Sequence, residues 1–182
     1  MHSQMPSLAH RDIKVENILL QNKNFKLCDF GSASTDTLDY TTCSKNELVD
    51  RMELFEKYTT LMYRPPEMID QYLKFAVTAQ VDVWMLGCVL YTLCFARHPF
   101  MDAQKLAILN AHYFIPDEDH DRINKKLRDL VRIMLTPDPV KRPNVKTLLR
   151  ILREWEELDH VPIPPHLAEE RKRAEEAARE ES

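Results

Sequence analysis

The sequence predicts a mainly α fold that carries one short β-hairpin close to its N-terminus. Three observations lead there. Fourteen mostly apolar residues, VWMLGCVLYTLCFA, run between Asp82 and Arg97. That is too short for a membrane span of about 20 residues, and its apolar character all round is that of a helix covered on every side. Helical spacing recurs afterwards, over Asp102 to His112, Arg122 to Leu135 and Asn144 to Leu158. Against these stand two short apolar runs, Ile18–Leu20 and Phe25–Cys28, which read as strands joined through Gln-Asn-Lys-Asn.

Taken in order, the chain runs from nine leading residues into HRDIKVENILL, residues 10 to 20, and so into the hairpin. From Asp29 to about Thr60 it is rich in Ser, Thr and Asp, which predicts a long loop. Within that loop Ser44 and Glu47 have capping-box spacing, and Leu48, Met52 and Phe55 recur at helical intervals, so a short helix is expected there. The central helix follows, with Trp84 read as a core residue. The prolines of TPDPVKRP separate the last two predicted helices. Past Val161, PIPP gives way to HLAEERKRAEEAAREES, with Glu169/Arg173 and Glu175/Arg179 at i, i+4 spacing. Residues 1–158 are therefore read as one folded domain, and 159–182 as a charged helical or disordered tail.

Composition narrows the function classes. A chain of 182 residues, 44% hydrophobic and 30% charged, can bury a proper core. Its formal charge of −4 leaves no polycationic footprint, which argues against a nucleic-acid partner. Four cysteines without a CxxC pair, and no signal-like start, fit a reducing cytosolic or nuclear setting. His98, His112 and His120 lack metal-ligand spacing. Only two glycines occur, Gly31 and Gly87. A glycine-rich loop that lets backbone approach a phosphate cannot be built from these residues.

The chemistry concentrates near the start. Asp12 suits the acceptance of a hydroxyl proton, and Asn17 suits the holding of a divalent cation. A hairpin would fold the chain back and deliver Asp29, twelve positions after Asn17, beside them. Gly31 then lets the backbone turn after that acid. Two carboxylates and an amide converging on one pocket make a site for Mg²⁺ bridging phosphate oxygens, and Lys14 adds positive charge where negative charge must be stabilised. Each feature is weak alone, since an acid near a glycine is usually just a turn. The combination H-R-D-x-K-x-x-N followed by D-F-G is specific.

On those motifs the chain resembles a eukaryotic protein kinase, specifically its large C-terminal lobe. HRDIKVENILL, KLCDFGSAS, YTTLMYRPPEM, DVWMLGCVLYTLCF and PDPVKRP are most similar to the Numb-associated, or adaptor-associated, serine/threonine kinases, over roughly residues 1 to 155. The resemblance implies a kinase-like C-terminal lobe with the hairpin at the catalytic loop, and with the small N-terminal lobe absent from these residues. It implies ATP and Mg²⁺ as cofactors, Asp12 and Lys14 as catalytic residues, and Asn17 and Asp29 as metal and nucleotide ligands, with Cys28 at the back of the nucleotide site. Glu67 would pair with Arg142. Asp82 would hold the backbone of the His10-Arg11-Asp12 turn, and a helix N-terminal charge is its other reading. Phe30 and Gly31 complete the Asp29 motif, and Lys14 with Thr60 points to Ser/Thr rather than Tyr acceptors.

Arg11 beside Asp12 is the family's means of gripping a phosphorylated activation loop, for which Ser34, Thr35, Thr37, Thr41, Thr42 and Ser44 are candidates. The resemblance further implies protein substrates, clathrin-adaptor subunits among them, and a cytoplasmic setting peripheral to endocytic membranes. Without a glycine-rich loop the 182 residues alone should be nearly inactive. The alternative reading is an inactive lobe that binds kinase substrates or partners through the groove around Thr60 and the helix near Asp102 to His112.

Overall fold

Strands β1 (Ile18–Gln21) and β2 (Asn24–Leu27) pair antiparallel, Ile18 opposite Leu27 and Gln21 opposite Asn24. Asn22 and Lys23 both take positive φ, 50° and 62°. That is the backbone of a two-residue primed turn, whose twist suits paired strands. The turn is shorter than the four residues expected, because Gln21 and Asn24 join the ladder. The structure is a computed structural model, and it describes residues 1–102, 104–115 and 123–158.

Helix α1 (Lys45–Tyr58) is the expected helix within the polar loop, though its 14 residues make it longer than a short one. Ser44 caps it, its Oγ accepting the Glu47 N–H at 3.2 Å, and Phe55 is the side chain it buries. Helix α2 (Pro66–Ile69) is a single turn started by proline. One turn carries no periodicity, so the sequence pattern did not reveal it. Helix α3 (Gln80–Phe95) is the central one, and 11 of its 16 residues are buried. Leu93 departs from the expected burial all round, at 73% exposed. Trp84 is fully buried and stacked on Phe100, ring centroids 5.5 Å apart.

Helix α4 (Lys105–Leu109) is much shorter than the expected Asp102–His112, since Asn110 and the left-handed Ala111 (φ 48°) end it. Helix α5 (Lys125–Met134) starts later than expected, where Asn124 Oδ1 accepts the Lys126 N–H at 2.8 Å. It packs on α3 through Gly87. A Cβ there would lie 2.9 Å from Leu135 Cδ2 and 3.0 Å from Met134 Cβ. Helix α6 (Val145–Leu158) follows. The described residues up to 145 form one compact unit, and those from 146 to 158 fall in a second. The charged stretch predicted after residue 158 lies outside the described residues. Among those described, no helix is long and apolar enough to cross a membrane.

Candidate active site

The site is built around a buried carboxylate. Asp82, 1% exposed in the first turn of α3, accepts the His10 N–H at Oδ2 (2.7 Å) and the Arg11 N–H at Oδ1 (2.8 Å). His2 Nε2 lies 2.7 Å from the same Oδ2. A carboxylate so buried would be costly without such partners. Two consecutive N–H groups aimed at one anion require a curled backbone, and Arg11 accordingly takes φ 68°. His10 continues the framework. Its Nδ1 accepts the Asp12 N–H at 3.3 Å and its Nε2 reaches Cys28 O at 3.0 Å, a pattern that assigns the Nε2–H tautomer. The ring packs 5.0 Å from that of Phe30, and Ser32 Oγ donates to His10 O at 2.6 Å. Ala9 and Ser34 exchange two backbone hydrogen bonds of 2.9 Å. The turn is thus held by a helix beneath it and by the segment after β2 beside it.

Asp12 sits on that turn, 6% exposed. Thr60 donates to its Oδ1 twice, from N–H and from Oγ1, each at 3.0 Å. Lys14 Nζ lies 2.8 Å from Asp12 Oδ2 and donates to Thr60 Oγ1 at 2.9 Å. Asn17 Nδ2 donates to Asp12 O at 2.9 Å and to Oδ2 at 3.3 Å. With its amide nitrogen so committed, Asn17 offers Oδ1 as its donor to a cation.

The hairpin delivers Asp29 as expected. Cys28 N–H bonds Asn17 O at 2.9 Å, which ties the residue before Asp29 to Asn17. Asp29, Asp12, Lys14 and Thr60 all line one cleft of about 280 Å³, and Lys57 lines it too. Asn17 and Cys28 stand behind that cleft rather than on its wall; the Cys28 thiol donates to Asn17 O at 3.3 Å. The left-handed residue of the motif is Asp29 itself (φ 59°), not the glycine. Gly31 provides room instead. Its N–H donates to Asp29 Oδ1, and a Cβ there would stand 3.2 Å from that oxygen. The donor set fits Mg²⁺: a carboxylate and an amide oxygen are hard ligands, and Mg²⁺ takes the rest of its shell from water and phosphate. Among the described residues no group of three or more His, Cys, Asp and Glu converges as a self-sufficient metal centre would need.

The segment from Asp29 to Pro66 is tied down along its length. Leu38 and Val77 exchange backbone hydrogen bonds, and Tyr40 OH donates to Glu67 O at 2.5 Å. Burial, with Glu67 nearby, pushes the Tyr40 phenol well up, so it stays a donor. Glu67 and Arg142 form a bidentate pair at 2.7 and 3.0 Å, both side chains wholly buried. Arg142 also donates to the carbonyls of Gln80, Thr136 and Pro137 and lies over the Trp84 ring at 5.2 Å. Arg11 donates through Nη2 to Asp36 O, while Arg51 Nη1 reaches Asp36 Oδ2 at 3.0 Å. Of the candidate loop hydroxyls, Ser34, Thr41, Thr42 and Ser44 are engaged in turns or caps.

Residues 1–152 match the protein kinase domain family, and the chain belongs to it. It is 42% identical over 163 residues to a probable serine/threonine-protein kinase of Dictyostelium discoideum, covering 87% of this chain and 14% of that protein. A second probable serine/threonine-protein kinase of that organism is 40% identical over 156 residues, 85% of this chain and 19% of the relative. Actin-regulating kinase 1 of Saccharomyces cerevisiae is 38% identical over 165 residues, 90% of this chain and 25% of the relative. The chain thus spans no more than about a quarter of the length of these curated relatives.

Two site contributors escaped the sequence pattern. His2 reaches Asp82 across 80 positions, and Lys57 enters the cleft from the end of α1. A distant pairing leaves no local periodicity. Lys57 was accessible in principle, as the basic residue in the last turn of a capped helix.

Proposed function

We propose that this chain is the large lobe of a serine/threonine kinase domain, which transfers the γ-phosphoryl group of ATP to protein Ser and Thr hydroxyls. One observation carries the reading: Asp12, Lys14 and Thr60 form a closed triangle of contacts between 2.8 and 3.0 Å on the wall of a cleft that Asp29 shares. Asp12 accepts the proton of the acceptor hydroxyl as its oxygen attacks the γ-phosphorus, while the bond from that phosphorus to the β,γ-bridging oxygen breaks and ADP leaves. Asn17 and Thr60 hold that carboxylate in orientation from two sides. Lys14 places its charge where negative charge accumulates on the transferred group. Asp29 and the Asn17 amide oxygen would hold Mg²⁺, which when bound would neutralise charge on the phosphate oxygens. By family resemblance Cys28, next to Asp29, would line the back of the nucleotide site.

Lys14 contacting Thr60 keeps the pairing that, by family resemblance, accompanies Ser and Thr rather than Tyr acceptors. Clathrin-adaptor subunits are the proposed substrates, and the cytoplasmic face of endocytic membranes the proposed setting. Support for both is the likeness of KVENILL and LCDFGSA to the Numb-associated group. The test is labelling by the native full-length product, with ATP and Mg²⁺, of matched peptides that differ only in a Ser, Thr or Tyr acceptor, and of purified adaptor subunits. Ser and Thr labelling with Tyr left bare is expected. Labelling of Tyr alone would reject the acceptor class, and unlabelled adaptors would reject that substrate.

A further inference from the structure

Two basic residues of helix α1, Arg51 and Lys57, are engaged away from its groove-facing side. Arg51 turns toward Asp36, and Lys57 toward the cleft that holds Asp12. The opposite side faces a second concavity of about 320 Å³, between α1 and the residues that follow α2. Leu48, Val49 and Met52 form one wall of it and Ile69 and Tyr72 the other. Val49 is 55% exposed and Tyr72 80%, so apolar surface is offered to solvent there. The charged residues lining it are Glu53, Glu56 and Asp70, all acidic. Arg64, whose Nη2 donates to the Glu56 backbone carbonyl at 3.1 Å, is buried.

We propose that this groove docks a segment of the protein substrate in which an apolar side chain is flanked by Lys and Arg. An apolar floor takes the anchor, and a rim of one sign selects its neighbours and steers their approach. The groove and the site share helix α1. The helix that walls it ends at Tyr58, and Thr59 and Thr60 then line the Asp12 cleft. A segment seated against α1 therefore holds its parent protein next to Asp12 and raises the local concentration of acceptor hydroxyls. The inference rests on the kinase reading for its purpose, but not for its contacts.

The probe is a fluorescent peptide with one Leu between Lys-Arg pairs, compared with the same peptide bearing Glu-Asp pairs. Anisotropy titration with the 182-residue chain should show binding of the basic peptide only, weakening with added salt. Glu53→Lys with Glu56→Lys should weaken it about tenfold and favour the acidic peptide. Val49→Ser, at an exposed position, should weaken binding of the basic peptide without altering the charge selection. Equal affinity for both peptides, or indifference to the charge reversal, would overturn the proposal. Phosphoryl transfer by the native full-length product to a minimal Ser peptide without the flanking motif is read separately. Its absence would reject the kinase reading, while groove failure with transfer intact would reject the docking site alone.

Discussion

Glu67 and Arg142 show how much one residue pair can carry. Both side chains are wholly buried, so each charge depends on the other. Removing one partner strands the second, at a cost of about 3–5 kcal/mol, whereas replacing both with apolar side chains of like volume costs far less. Arg142→Ala is expected at the upper end, because it also orphans the carbonyls of Gln80, Thr136 and Pro137. Urea midpoints of Glu67→Gln, Arg142→Ala and Glu67→Leu/Arg142→Met would read this out, with the double variant more stable than Arg142→Ala. Equal stability of Arg142→Ala and the native chain would remove the pair from the account.

His98 makes a second residue-scale prediction. Burial brings its imidazole from 6.5 down to about 4. Its Nδ1 accepts the Phe100 N–H at 3.0 Å, and its ring lies edge-on to Tyr63 at 4.4 Å. The unfolded chain binds this proton more readily than the folded one. Stability from His98 is therefore complete above about 6.5 and is lost as pH falls toward about 4. Thermal midpoints measured between those limits should fall for the native chain and fall less for His98→Asn. Parallel slopes would assign the acid sensitivity elsewhere.

At the scale of elements, the contact between α3 and α5 depends on a missing side chain. A methyl group at Gly87 would press on Leu135 and Met134 inside a packed core. Gly87→Ala should gain helix propensity yet lose more through overpacking, for a net destabilisation of about 1–3 kcal/mol by chemical denaturation. A more stable variant would mean that the two helices can separate at no cost. The legible elements were those with a physical signature in a short window. The apolar run gave α3, Ser44 and Glu47 gave the start of α1, and two apolar runs gave the hairpin. What escaped lacked such a signature. Helix α2 is one turn long, and α4 stops early because Ala111 adopts a left-handed backbone that its identity does not announce.

The whole molecule brings together residues far apart in sequence, and there the reading of the site came from combination rather than from any single residue. Asp12, Lys14, Asn17 and Asp29 lie within one short stretch, so a hairpin was enough to place them. Thr60 was drawn in by its motif, and its double hydrogen bond to Asp12 is what the fold adds. His2 on Asp82 and the groove beside α1 needed the assembled unit, since each joins segments with no shared local pattern. The left-handed backbone at Asp29, where glycine was the expected pivot, shows the same limit.

In the proposed phosphoryl transfer, Asp12 takes the acceptor's proton. The most direct measurement is transfer of labelled γ-phosphate to a Ser peptide by the native full-length product, comparing the native residue with Asp12→Asn at equal folded content. The account predicts Mg²⁺-dependent labelling that falls by about 10²–10⁴-fold in the variant, the range for loss of a positioned general base. Undiminished labelling by Asp12→Asn, or none by the native protein, would contradict it.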